Sequence, residues 1–215
     1  EIASCLVGSE MCIRDRSTAN PEMNLNIKSD YPVVTKKIRE DDDQDKVGNQ
    51  GWNDLADFEI GQTVPYRYES NMPDVNGYNT YYYAWHDVMS EALTFKKDSV
   101  AIRIYESSNA RNYYELKEGE FEVKEAPGGG DTFQVIVSDM KKIIDREFNR
   151  KNEAGENKYG QKIVLTYQAT LNEKAAKNTG RPGFENDVRL EFSNDPDSAA
   201  VSYTHLRAHE TRGNL

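Results

Sequence analysis

Apolar and polar residues alternate with a period of two in short blocks along most of the chain, and turn residues bound each block. In the first block Val34, Lys36 and Ile38 share one face, with Val33, Thr35 and Lys37 on the other. Val64, Tyr66 and Tyr68 form the next row, then Tyr81, Tyr83, Trp85 and Asp87. Val100, Ile102 and Ile104 follow, then Phe121 and Val123, then Phe133, Val135 and Val137. Ile163, Leu165, Tyr167 and Ala169 make a long regular block, and Val188, Leu190, Phe192 and Asn194 make the last. Asn76-Gly77, the Pro127 to Gly130 run, Gly155 and Pro182-Gly183 separate these blocks as turns. The pattern predicts an all-β fold, an antiparallel sandwich of seven to nine strands. Two stretches read as helical: a single turn over 90–95, and a helix over 140–149. The latter has Met140, Ile143, Ile144 and Phe148 at helical spacing after a cap at Ser138 or Asp139. The mixed-charge stretch 149–158 reads as an exposed loop.

Composition narrows the function classes. The 215 residues suffice for a core without staples. A net charge of −10 argues against a nucleic-acid partner. No apolar run approaches the roughly 18 residues of a membrane span. Residues 1–16 and 199–215 share neither composition nor periodicity with the rest, and resemble translated adapter sequence; residues 17–30 read as a linker or the tail of a preceding domain. The first segment lacks the basic start and the long apolar run of a signal peptide. Cys5, Cys12, His205 and His209 lie in these end segments, so residues 17–200 hold no cysteine and only His86. Neither a disulfide framework, a zinc site nor a Cys/His nucleophile fits such a chain. The Gly128-Gly129-Gly130 run lacks the lysine of a phosphate loop, and no G-x-S-x-G elbow occurs. The acidic run Asp41-Asp42-Asp43-Gln44-Asp45 offers oxygen ligands to calcium, but reads more simply as a solvated turn; no cofactor is expected.

Three polar residues sit where the alternation demands apolar ones. Lys36 extends the row of Val34 and Ile38, Asp87 the row of Tyr83 and Trp85, and Asn194 the row of Val188, Leu190 and Phe192. Burying one such group without a partner costs a few kcal/mol, so three of them on inward rows suggest mutual contact. The plainer reading is that Lys36 snorkels at a strand end, Asn194 caps the last strand and Asp87 opens a turn.

With these residues in view, the runs PVVTKKI (32–38), ADFEIGQTVPYRY (56–68), YYYAWHDVMSEALTF (81–95), IVLTYQATLNEKA (163–175) and NDVRLEFSNDPDS (186–198) resemble the isopeptide-forming fimbrial domain. That domain occurs in sortase-assembled pilin backbones and Cna-like surface adhesins of Gram-positive bacteria. The resemblance spans 31–198 and implies an immunoglobulin-like (Cna-A-like) β-sandwich with one or two short helices. It further implies a covalent bond between Lys36 on the first strand and Asn194 in the F-S-N-D-P ending, with Asp87 as the buried catalytic acid. The chemistry suits these residue types. An apolar site disfavours both charged forms, leaving a neutral amine to attack the carboxamide while a protonated acid polarises it. The event is a single self-modification, so the chain is not expected to be an enzyme. The expected setting is the cell surface or cell wall, with other pilin or adhesin subunits as partners through sortase, and host or matrix ligands besides. Around the family's pilin-linking lysine this chain reads NLNIKSDYPVV, where Lys28 is the nearest candidate. The alternative function is a β-sandwich carbohydrate- or matrix-binding module in which the three polar residues form a plain hydrogen-bonded cluster.

Overall fold

The alternating blocks become strands wherever one face of the block is apolar enough to bury. The computed structural model describes residues 31–39, 51–54, 56–177, 184–196, 201–206 and 211–214. In chain order the elements are β1 (Thr35–Arg39), β2 (Trp52–Asn53), β3 (Ala56–Glu59), β4 (Thr63–Asn71), β5 (Tyr83–Met89), β6 (Leu93–Tyr105), β7 (Tyr113–Glu115), β8 (Glu122–Gly128) and β9 (Asp131–Val137). There follow α1 (Met140–Phe148), β10 (Lys162–Leu171), β11 (Asn186–Ser193), β12 (Val201–Leu206) and β13 (Thr211–Asn214). One sheet has the order β2-β1-β4-β10-β6-β7 and the other β12-β11-β5-β9-β8, both antiparallel. A small parallel pair joins β13 to β3.

Strict burial alternation in β4 and β11 shows that each sheet turns one face to a shared core. Phe95 of the first sheet stacks on Phe133 of the second at 3.8 Å between ring centroids, and Phe133 meets Tyr167 edge-on at 5.0 Å. These contacts join the sheets into a sandwich, as the alternation predicts. The incoming segment 31–36 lies along β11. The Tyr31 ring is 5.9 Å from that of Phe192, while Lys36 reaches Asn186, so the two run antiparallel in facing sheets.

The helix matches its prediction to within a residue. Asp139 caps it by accepting from the Lys142 amide at 3.1 Å, and the same carboxylate oxygen accepts from the Tyr81 amide at 3.1 Å. The single helical turn expected over 90–95 is instead a tight turn leading into β6 at Leu93. Leu93 pairs with Leu171 and Phe95 with Ala169, and extended backbone is what lets both reach the core. Beyond them β6 bulges: residues 97–100 stand against Tyr167 alone. The bulge changes which parity faces inward, which is why Val100, Ile102 and Ile104 read as a separate block. Ser99 fills the gap by accepting from the Gln168 amide at 2.8 Å. The segment set apart at 199–215 contributes β12 against β11 and β13 against β3. Residues 1–30, with Lys28, and the acidic run 41–45 lie outside the described residues.

Candidate functional site

At the centre of the sandwich the two sheets present polar side chains to each other. Lys36 of β1 pairs in register with Tyr68 of β4, and Tyr68 with Leu165 of β10; Tyr167 lies two residues further along. On the facing sheet Asp87 of β5 sits between Phe133 of β9 and Val188 of β11, with Asn186 two residues before Val188 on the same inward row. Inward alternation delivers each of these side chains to the core. Relative exposure is 7% for Lys36, 0% for Asp87 and 1% for Asn186, so water does not compete for their hydrogen bonds.

The geometry is closely connected. The Lys36 ammonium donates to the main-chain carbonyl of Asn186 and lies 5.0 Å from the Tyr66 ring centroid. Asp87 Oδ2 accepts from the Tyr68 hydroxyl, and from the Tyr167 hydroxyl at 3.0 Å. The two hydroxyls are 2.6 Å apart. The Asn186 carboxamide nitrogen donates to the Tyr167 oxygen at 2.7 Å. Within this cluster Asp87 Oδ1 and Asn186 Oδ1 are buried without a hydrogen-bond partner.

Electrostatics follows from the dryness. Burial lowers the Lys36 pKa to about 7, against the opposing pull of Asp87 and Asp187. Burial likewise raises Asp87 to about 7, with Lys36 and the Tyr167 hydrogen bond acting the other way. Near neutrality the pair therefore has access to a free amine beside a protonated acid. That is the combination an amide condensation needs: a nucleophile with its lone pair, and a proton donor for the carbonyl oxygen.

Lys36 and Asp87 come together, while Lys37 points outward and pairs with Asp54 at 2.6 Å. Asn194 does not join them. It lies past the end of β11, eight residues from Asn186, or about 26 Å along an extended strand. Its row is the right one, but the register that sets Val188 opposite Asp87 sets Phe192 opposite Tyr83, carrying Asn194 beyond the cluster. Asn186 heads the same inward row and stands where the sequence reading put Asn194. Tyr68 and Tyr167 complete the site; alternation places both on inward faces, but nothing in the pattern marks their hydroxyls.

The outer face of the second sheet holds that register in place. His86 neighbours Asp87 in sequence but points the other way, with Nδ1 2.8 Å from Asp131 and Nε2 2.8 Å from Glu191. Arg189 bonds Asp131 at 2.7 Å. The cluster ties β5, β9 and β11 together directly behind the site. Among the described residues no group of three or more His, Cys, Asp or Glu is arranged to hold a metal, and no helix is long and apolar enough to cross a membrane.

Comparison with known proteins agrees with the fold. The T6 backbone pilin of serotype M6 Streptococcus pyogenes superposes with a TM-score of 0.54 at 17% identity, over 84% of this chain and 36% of that one. BcpA, the major pilin subunit of Bacillus cereus, gives 0.52 at 15% identity, over 84% and 40%. The chain thus spans well under half the length of either. A search of curated proteins finds no match. The family model for the Gram-positive pilin backbone subunit 2, Cna-B-like domain, matches residues 60–196. It names the Cna-B-like form of the sandwich where the sequence reading named the Cna-A-like one. Matched over more than half its length by that model, the chain belongs to the Gram-positive pilin backbone family.

Proposed function

We propose that this domain is a load-bearing unit of a surface pilus, closed by an isopeptide bond between Lys36 Nζ and the side-chain carbon of Asn186, with Asp87 as the acid–base catalyst. One observation carries the reading: a buried lysine, acid and carboxamide converge in a dry core. There the amine and acid pKa values both fall at about 7, and the acid and the carboxamide each keep one oxygen without a partner. Those two oxygens are complementary once Asp87 is protonated, because its O–H can donate to the carbonyl oxygen as negative charge develops there. Neutral Lys36 attacks the Asn186 carbonyl carbon, the new C–N bond forms, and the amide nitrogen departs as ammonia. The folded core supplies proximity and orientation. The parent protein then belongs on the Gram-positive cell wall, joined to other pilin subunits by sortase.

Intact-protein mass spectrometry tests the bond. The mass is expected to fall short of the sequence mass by one ammonia, and Asp87→Asn is expected to restore the full mass while keeping the fold. A parent chain at full sequence mass sinks the covalent reading. A second expectation concerns pH. Bond formation needs Lys36 deprotonated and Asp87 protonated, and both groups titrate at about 7. The rate in freshly translated protein is therefore expected to peak near neutrality and to fall on both sides, as Lys36 protonates below and Asp87 ionises above. A rate rising steadily to pH 9 would remove Asp87 as the acid.

A further inference from the structure

We propose that Tyr167 is a catalytic residue of the cross-linking reaction, handing the departing ammonia its proton as the middle member of a relay Asp87–Tyr167–Asn186. This inference rests on the covalent reading above. A leaving nitrogen must be protonated by a group within hydrogen-bond reach of it. The partner of the Asn186 carboxamide nitrogen is the Tyr167 hydroxyl, at 2.7 Å. Asp87 makes its hydrogen bonds to Tyr68 and Tyr167 rather than to Asn186. At rest Nδ2 donates to the tyrosine oxygen, and the tyrosine hydroxyl donates to Asp87 Oδ2 at 3.0 Å. With Asp87 protonated and a lone pair on the nitrogen of the tetrahedral intermediate, both contacts reverse, and the acid reaches the leaving group through the tyrosine oxygen. Tyr68, with its hydroxyl 2.6 Å from that of Tyr167 and bonded to the same carboxylate oxygen, holds both members in line.

The proton balance closes without any co-reactant. The Lys36 Nζ–Asn186 Cγ bond forms, and Nζ gives up its proton to the Asp87 carboxylate that is left as the carboxyl proton moves on. The carboxyl proton of Asp87 passes to the Tyr167 oxygen as the hydroxyl proton of Tyr167 passes to Asn186 Nδ2. The Cγ–Nδ2 bond then breaks and ammonia leaves, with Asp87 and Tyr167 back in their starting states. Burial, with Asp87 beside it, pushes the Tyr167 hydroxyl well above its ordinary pKa, so the phenolate does not accumulate and the two transfers run together.

The full chain, made by cell-free translation and quenched at intervals, reports the kinetics as loss of one ammonia in the intact mass. Tyr167→Phe is expected to slow that loss about a hundredfold, the scale of a missing general acid. Tyr83→Phe removes another buried hydroxyl of the same core, one bonded to Ser70 at 2.8 Å, and is expected to leave the rate unchanged. Replacing Tyr167 with p-aminophenylalanine, which keeps a donor and an acceptor at that position, is expected to recover much of the rate. That variant decides the matter if Tyr167→Phe does not give the parent circular-dichroism spectrum. Equal rates for the parent and Tyr167→Phe, equal slowing by Tyr83→Phe, or no recovery with p-aminophenylalanine would each overturn the relay while leaving the bond standing. A parent chain that never loses ammonia overturns the covalent reading itself.

Discussion

Replacing Asn186 with alanine is expected to lower the unfolding free energy by about 5 kcal/mol, because it removes a cross-link closing a loop of 150 residues. That is comparable to the whole stability of an ordinary domain, and in a domain of this size it corresponds to a fall in Tm of roughly 10–20 °C. Lys36→Ala should lose a similar amount, part of it from the packing of the lysine stem. Asp87→Asn is the cleaner comparison, since both bonding side chains stay in place while the proton donor is lost. Urea unfolding of the three variants beside the parent measures the effect. If Asp87→Asn prevented the bond and yet cost less than about 1 kcal/mol, loop closure would not be what stabilises the domain.

Under load the expected difference is larger still. Held through attachment points introduced at residues 31 and 196, the bonded domain should keep the loop between Lys36 and Asn186 out of the extension. Asn186→Ala should release that loop, adding about 500 Å of chain for its 150 residues. Single-molecule pulling resolves such a step easily. Equal contour lengths for the two proteins would mean that no covalent bond carries the force.

Much of this was legible from residue order. Alternation put Lys36 and Asp87 on inward faces, put Lys37 outside, and identified α1 from the spacing of Met140, Ile143 and Ile144. It failed in two informative places. Asn186 and Asn194 lie on one row of one strand, and a period of two cannot say how far along that row the facing sheet places its acid. The β5–β11 register decides it, and that register depends on long-range pairing and on the outer cluster of His86, Asp131, Arg189 and Glu191. The β6 bulge was hidden for a related reason. Extra residues between Lys96 and Ala101 shift the parity, so a continuous strand reads as two unrelated pieces. Tyr68 and Tyr167 were visible as inward aromatics, but their hydroxyls acquire meaning only from the carboxylate and carboxamide opposite.

The antiparallel course of segment 31–36 along β11 has a mechanical consequence. Tyr31 beside Phe192, and Lys36 against Asn186, put residues 31 and 196 at one end of the sandwich and the proposed bond toward the other. Tension applied at that end meets no covalent stop at first. It peels five residues from Tyr31 to Lys36 and ten from Asn186 to Pro196, held only by hydrogen bonds and side-chain packing. About 50 Å of slack is paid out before the line pulls taut on the isopeptide. Because those contacts re-form when the pull relaxes, such a domain would act as a shock absorber with a hard limit, yielding to a brief tug and re-seating afterwards.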